Sequence, residues 1–505
     1  MTHLRKLCDR AAREVKNLEL DSLDRFGLER RLESYYLIGP YPPLAAMQRP
    51  SQESIETLIA QLSQPIDLYI HFPFCRVMGP WECSFCHFYK VPYDPNTEKE
   101  YVDACIKEIA MYRRRLGRIQ VRSVYFGGGT FSLISRENLH RLLAFIWTEL
   151  DVDSLAEVKF EVHADAARTP ELLTEVICGL REYPITHLVL DIQTLNENSL
   201  RMVSWGRVRP RDYFDTLQLC RDLGIERFVT GLILGLPLET KESFLDGVLS
   251  LATLPDIVTI NIFPLMLKSG DAIHDQYLRL PELFPDVAER DIMHYAARVL
   301  LRGLSFSESP LYFMNRAGSS PHHQTHKFEG LSLLGIGPSA FGTFHGSRSA
   351  QYYNVPSLNA YLRRINEGTL PIWRLGEMSA EGWQRRQLIL GFLNLNRDLD
   401  PMLWNSDCPE RDALEFFCDI GLLKSSGSTL ALTDKGLLRT EEMSWFLAES
   451  SVRDALRLSN GHEDHRRYNY FITRTADQEQ SFRSAMKASN RPRGVPVGVE
   501  RNATV

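Results

Sequence analysis

IDLYIHFPFCRVMGPWECSFCHFYK, residues 66–90, is the stretch from which the fold and the chemistry can both be read. IDLYIHF is an apolar run rich in β-branched and aromatic side chains, the pattern of a buried strand, and it ends at Pro73. The residues after Pro73 have no helical or strand period and set Cys75, Cys83 and Cys86 in a Cx7CxxC spacing. Three thiolates close together need a cation. A structural zinc site wants four closed ligands, and His87, adjacent to Cys86, is poorly placed to join it on one metal. An iron–sulfur cluster normally takes four cysteines, so three leave one iron open to an exogenous donor. Unligated core cysteines are the remaining alternative.

Outward from this stretch the same apolar run recurs as VRSVYF from Val121, EVKFEVH from Glu157, THLVLDI from Thr186, ERFVTGLIL from Glu226 and DIVTINIF from Asp256. Amphipathic stretches such as TEKEYVDACIKEIAMYRRRLG and RENLHRLLAFIWTEL separate them. Strands alternating with helices predict an α/β fold, here a partial (β/α)6 barrel. In such barrels ligand-binding groups sit on the loops at the carboxyl ends of the strands. The cysteine loop occupies that place after the first run. Gly127, Gly128, Gly129 and Thr130 follow the second, Glu161 ends the third, Gln193 the fourth and Gly235-Leu236-Pro237 the fifth. GGGT is not a phosphate-binding loop, because the Gly-Lys-Ser/Thr that completes one is absent. Singly these are a turn, an edge carboxylate and a loop stop. Together they mark one mouth.

The boundaries expected are a helical segment at 1–60, the barrel at 61–270, a less periodic barrel extension on the substrate side at 271–375, a small winged-helix-like α+β domain at 376–450, and a polar, disordered tail at 451–505. With 58 Lys+Arg against 64 Asp+Glu, the net charge of -6 argues against nucleic acid as a partner. No apolar run is long enough to span a bilayer, and no apolar signal core follows the basic residues at the start, so a cytoplasmic location is expected. Nine cysteines, an odd count in a long chain, argue against a disulfide scaffold.

The ordered set YIHFPFC, CSFCHF, FGGGT, FEVH, DIQTLN, WGR, LILGLPLET and LLGIGPSAFG resembles radical S-adenosylmethionine (SAM) enzymes of the oxygen-independent coproporphyrinogen III oxidase-like branch. The likeness implies that Cys75, Cys83 and Cys86 hold a 4Fe-4S cluster whose open iron chelates SAM. It also implies that Phe88 meets the adenine, that Gly127, Gly128, Gly129 and Thr130 hold the methionyl amino end, and that Glu161, Gln193 and Arg207 reach the polar parts of SAM. Gly335 and Gly337, in GIGPSAFG, are candidates for part of a second SAM site. One-electron cleavage of SAM would then start radical C–H chemistry, with flavodoxin or ferredoxin as electron donor. Four departures stand out. Seven residues, RVMGPWE, replace the usual three between the first two cysteines; Gly79-Pro80 reads as a turn and Trp81 as a cover over the cluster. The aspartate that commonly begins DLIxGLP is Gly231, and the glycine of the GVQS motif is Asp191. No fourth cysteine stands close after Cys86, where HFYK follows directly.

The leading expectation is a radical SAM enzyme acting on a small organic substrate, by C-methylation or cyclopropanation in specialised metabolism. The alternatives are oxidative decarboxylation of coproporphyrinogen III or other tetrapyrrole chemistry, and a non-catalytic haem chaperone in which His322, His323 and His326 would be candidate axial ligands.

Overall fold

The computed structural model describes residues 2–30, 41–76, 83–86, 88–204, 207–268, 271–392, 395, 410–426, 429–459 and 475–489. The six apolar runs form β1 (Ile66–Phe72), β2 (Gln120–Gly128), β3 (Asp151–Glu161), β4 (His187–Val189), β5 (Phe228–Leu234) and β6 (Ile257–Pro264), parallel and neighbouring in chain order. Helices connect them, and the sequence sets where these begin. Asp94 caps Pro95–Leu116 by accepting from the Thr97 backbone N–H, Ser135 caps Arg136–Glu149, and Pro170 opens Pro170–Leu180.

The region 271–375 is more ordered than its weak periodicity suggests. It adds β7 (Phe306–Glu308), β8 (Phe313–Arg316), β9 (Leu333–Ile336), β10 (Phe341–Phe344), β11 (Ser349–Asn354) and β12 (Ile372–Met378). The result is a 12-stranded sheet in the order β12-β11-β10-β9-β1-β2-β3-β4-β5-β6-β8-β7. β9 pairs parallel with β1, whereas β10 to β12 and the β8–β7 pair continue the two edges antiparallel. The fold is therefore α/β with a large, mostly parallel sheet.

The period of two in the strands splits the sheet into unlike faces. Ile66, Leu68, Ile70, Phe72, Val124, Phe126, Val158 and Phe160 are buried among the helices of the main core. The other face carries Asp67, Tyr69 and His71 on β1, Ser123 and Tyr125 on β2, and Glu157, Lys159 and Glu161 on β3. Several of these polar side chains are fully buried.

Helices Ala380–Gly391 and Arg411–Asp419, the antiparallel pair Leu423–Ser426 and Thr429–Leu432, and helix Thr440–Leu447 follow in the order a winged-helix-like module requires. The expectation of a disordered tail needs correction in the described part. Ser450–Ser459 and Ala476–Ala488 are helices, the second opened by a capping box at Thr475. Phe482 is buried, stacked on Phe446 at 3.9 Å between ring centroids and edge-on to Phe416 at 5.3 Å. Trp445 Nε1 donates to Glu479 Oε1 at 3.0 Å, and Arg453 pairs with the same carboxylate. An apolar anchor plus a satisfied buried hydrogen bond docks a segment that composition alone marks as unstructured.

Truncating that anchor should show the docking directly. Phe482→Ala is expected to cost about 3–5 kcal/mol of local stability and to remove amide-exchange protection from residues 476–488 while leaving that of β1–β6 intact. Unchanged protection would show that the helix does not depend on this contact.

Candidate functional site

Every group expected at the mouth lies at the carboxyl end of its strand. Cys75 follows β1, and its Sγ accepts from the Thr130 hydroxyl at 3.7 Å, which ties the cysteine loop to the turn after β2. Cys83 stands in the left-handed region at φ 48°. Burial works to lower the pKa of Lys90, but Cys86, Cys83 and Cys75 around it outweigh this, Cys86 also by a hydrogen bond, and the net shift is upward. All three cysteines act electrostatically on Lys90, which lies on the same loop. Among the described residues, no group of three His, Cys, Asp or Glu side chains is arranged to hold a metal ion. The bulge expected of RVMGPWE, with Trp81 over the cluster, falls on residues 77–82 and lies outside the described residues.

The glycine turn is built by close approach. A Cβ on Gly127 would meet Tyr125 at 2.5 Å and Glu161 Oε1 at 2.6 Å; on Gly129 it would meet Phe74 O at 2.5 Å. Gly128 has φ 114°, and a Cβ there would lie 2.7 Å from His71 Nδ1. The amides of this turn are used inside the protein. Gly128 N donates to Glu161 Oε2 at 3.0 Å, Gly129 N to Phe72 O at 2.6 Å and Thr130 N to Phe74 O at 2.7 Å. The turn can therefore offer carbonyl oxygens to a ligand, which suits a cationic donor rather than an anion.

Glu161 is the centre of the arrangement. Tyr125 Oη donates to its Oε1 at 2.7 Å, and Gly128 N binds the other oxygen. Burial pushes its pKa up to about 7, and nearby Asp191 adds to the rise, while the bonds from Tyr125 and Gly128 oppose it. Burial likewise raises Asp191 to about 6, against a hydrogen bond from the Gly231 backbone. Two half-buried carboxylates side by side without a paired cation await positive charge or hydroxyl donors.

The other expected residues are less uniform. Gln193 follows β4 in a left-handed conformation at φ 69°, with its backbone bridging to Leu232. Arg207 is half-buried just past helix Glu197–Ser204. Phe88 is exposed, its ring 6.4 Å from that of His71.

Residues 69–248 match the model of the Radical SAM superfamily. Heme chaperone HemW of Bacillus subtilis is 24% identical over 389 residues, covering 75% of this chain and 99% of that protein. The oxygen-independent coproporphyrinogen III oxidase of Escherichia coli is 25% identical over 368 residues, covering 70% of this chain and 77% of the relative. The chain carries a radical SAM domain and is HemN-like in sequence along most of its length. Its fold agrees: the solved coproporphyrinogen III oxidase (HemN) from E. coli superposes with a TM-score of 0.67 at 20% identity, over 82% of this chain and 96% of that one. These relatives point to tetrapyrroles, and not to the C-methylation or cyclopropanation expected first.

Two sets of sequence candidates in this HemN-like chain have other work in the structure. Gly335 N donates to Tyr352 Oη at 2.9 Å and Gly337 N to Glu108 Oε2 at 3.0 Å, while Asn354 Nδ2 donates to both carbonyls. A Cβ on Gly335 would sit 2.1 Å from Phe341 O. Close packing accounts for both glycines, and their backbone groups are engaged within the protein. The histidines lie on helix His322–Phe328, at the amino ends of the strands rather than at the mouth. His323 is buried with Nδ1 2.7 Å from Ser123 Oγ, and His326 Nδ1 is 3.0 Å from Asp67 Oδ1. Burial holds His323 down at about 4, so it stays neutral as part of a polar plug.

Residue reading missed His71, Tyr125 and Lys90. The signal was available: polar and aromatic residues recur at every second position of runs otherwise apolar enough to be buried on both faces. His71, with Nδ1 2.8 Å from Tyr69 Oη and Nε2 3.2 Å from Tyr89 O, braces the strand end behind the cysteine loop.

The raised pKa of Glu161 fixes a sign. Its folded value, about 7, lies above the ordinary 4.5, so the folded state binds the proton more tightly and stability falls as pH rises through that window. Glu161→Gln should flatten this part of the pH–stability curve of the cofactor-free protein, measured by thermal unfolding. A curve as steep as that of the unaltered protein would assign the dependence to other buried carboxyls.

Proposed function

We propose that this chain binds a 4Fe-4S cluster through Cys75, Cys83 and Cys86, binds SAM against Glu161 and the Gly127–Thr130 turn, and takes a tetrapyrrole as its small-molecule partner. The observation that carries the reading is the junction of thiol, turn and carboxylate: Thr130 touches Cys75 Sγ, and Gly128 binds Glu161. The donor set fits the group. Three cysteines on one loop would leave a cluster iron without a protein thiolate, and the neighbouring oxygens suit an ammonium and a sulfonium. When bound, the pair supplies one-electron reduction and hydrogen-atom abstraction.

The chain's own residues do the positioning. Tyr125 and the Gly128 amide hold the Glu161 carboxylate at the mouth and favour its ionised form, so that it meets positive charge. With its amides engaged within the protein, the glycine turn would meet the ammonium through carbonyl oxygens. Lys90 lies close to the three cysteines, where its positive charge would offset the negative charge of a loaded site. His71 and Tyr69 keep the end of β1 rigid beneath it.

A haem-carrying role is the second reading, favoured by the alignment with HemW along 99% of that relative and by the absence of a fourth cysteine close after Cys86. The plug position of His323 and His326 takes these two out of that role. The two readings separate in one assay. Anaerobically reconstituted protein given SAM, a reductant and either coproporphyrinogen III or haem should release 5'-deoxyadenosine, and Cys83→Ala should release none. Stoichiometric haem binding with no SAM cleavage would favour the carrier; a normal cluster in Cys83→Ala would remove the ligand assignment.

A further inference from the structure

Gly231 lies on β5 between two buried oxygens that have no hydrogen-bond partner in the structure, Asp191 Oδ1 and Asn261 Oδ1. The register places the three in one row. Val189 pairs with Val229, so Asp191 falls beside Gly231, and Gly231 pairs with Asn261 on β6. All three face the side of the sheet that carries Glu161, because Glu161 pairs with Val189 and inward positions alternate. A Cβ on Gly231 would lie 2.6 Å from Asp191 Oδ1 and 3.1 Å from Oδ2. The carboxylate therefore stands over the glycine, in the space where a side chain from position 231 would project.

Two orphaned acceptors in one buried row cost free energy unless a donor fills the gap between them. The order along the mouth says which donor. The thiols and the Gly127–Thr130 turn occupy the β1 and β2 ends, and Glu161 occupies β3. A SAM molecule anchored there by its methionyl end would reach toward β4 and β5, where its next donors would be the two ribose hydroxyls. A carboxylate is well suited to a vicinal diol, since its two oxygens can each accept one hydroxyl.

On the reading that this mouth binds SAM, we propose that Asp191 and Asn261, across Gly231, form the subsite for the ribose diol. Asp191 and Gly231 are then an exchanged pair: the carboxylate that related motifs carry at position 231 is delivered to the same space from the neighbouring strand, and glycine at 231 makes room for it.

The exchange can be tested with the full-length reconstituted protein by titrating SAM and, separately, methionine, which lacks the ribose, in a calorimeter. Asp191→Gly should weaken SAM by about ten-fold or more and leave methionine unchanged. Asp191→Gly combined with Gly231→Asp should recover most of the lost affinity, whereas Gly231→Asp alone should not, because two carboxylates then compete for one space. Asp191→Asn, nearly isosteric, guards against a folding defect and should show the same preference for loss of SAM over methionine. Unchanged SAM affinity in Asp191→Gly, or equal losses for SAM and methionine, would overturn the subsite. An unaltered protein that binds neither compound would instead overturn the SAM reading itself.

Discussion

The structure depends on how Glu161 is held. A carboxylate at the end of a parallel strand, with Tyr125 on one oxygen and the Gly128 amide on the other, links β2 to β3 and fixes the glycine turn. That turn can approach only because three successive side chains are missing, and its next two amides lock onto Phe72 and Phe74, the residues that lead into Cys75. One bonded chain therefore runs from the carboxylate to the first thiol. The two links to Phe72 and Phe74 are backbone-to-backbone and cannot be taken up by a rotamer, so a shift of the turn moves the segment that leads into Cys75.

Burying charge on the inner face of a sheet is costly, and at the amino ends of the strands the chain meets that cost with partners. At the amino ends of the strands, Asp67 has Arg122, His326 and Ser123, while Glu157 has Lys159 and the His323 amide. Toward the carboxyl ends, Asp191 and Asn261 keep acceptors without donors. This asymmetry distinguishes a plug from a binding site more sharply than the residue types do, since both ends are rich in histidine and carboxylate.

Much of this was legible before any coordinates. The six core strands appeared because a strand covered by helices leaves a concentrated apolar run, and Cys75, Gly127–Thr130 and Glu161 followed from their place after those runs. The edge strands β7, β8 and β10–β12 were missed because segments such as SAQYYN and FGTF are short and mix polar with aromatic residues. The docked helix Ala476–Ala488 was missed because one buried Phe482 in a polar segment leaves no compositional trace. Gly335 and Gly337 looked ligand-facing because glycine serves close packing and ligand approach alike, and only the positions of Phe341, Glu108 and Asn354 separate the two. Asp191 was visible only as a departure from a motif, and its meaning required the register of β4 against β5.

Whether SAM meets a cluster iron at this mouth is tested most directly by electron paramagnetic resonance of the reconstituted, chemically reduced protein. Addition of SAM should alter the spectrum of the reduced 4Fe-4S cluster, as an open iron gains amino and carboxylate ligands, and Asp191→Gly should need more SAM to reach the same change. A cluster signal that stays the same at saturating SAM would contradict the account.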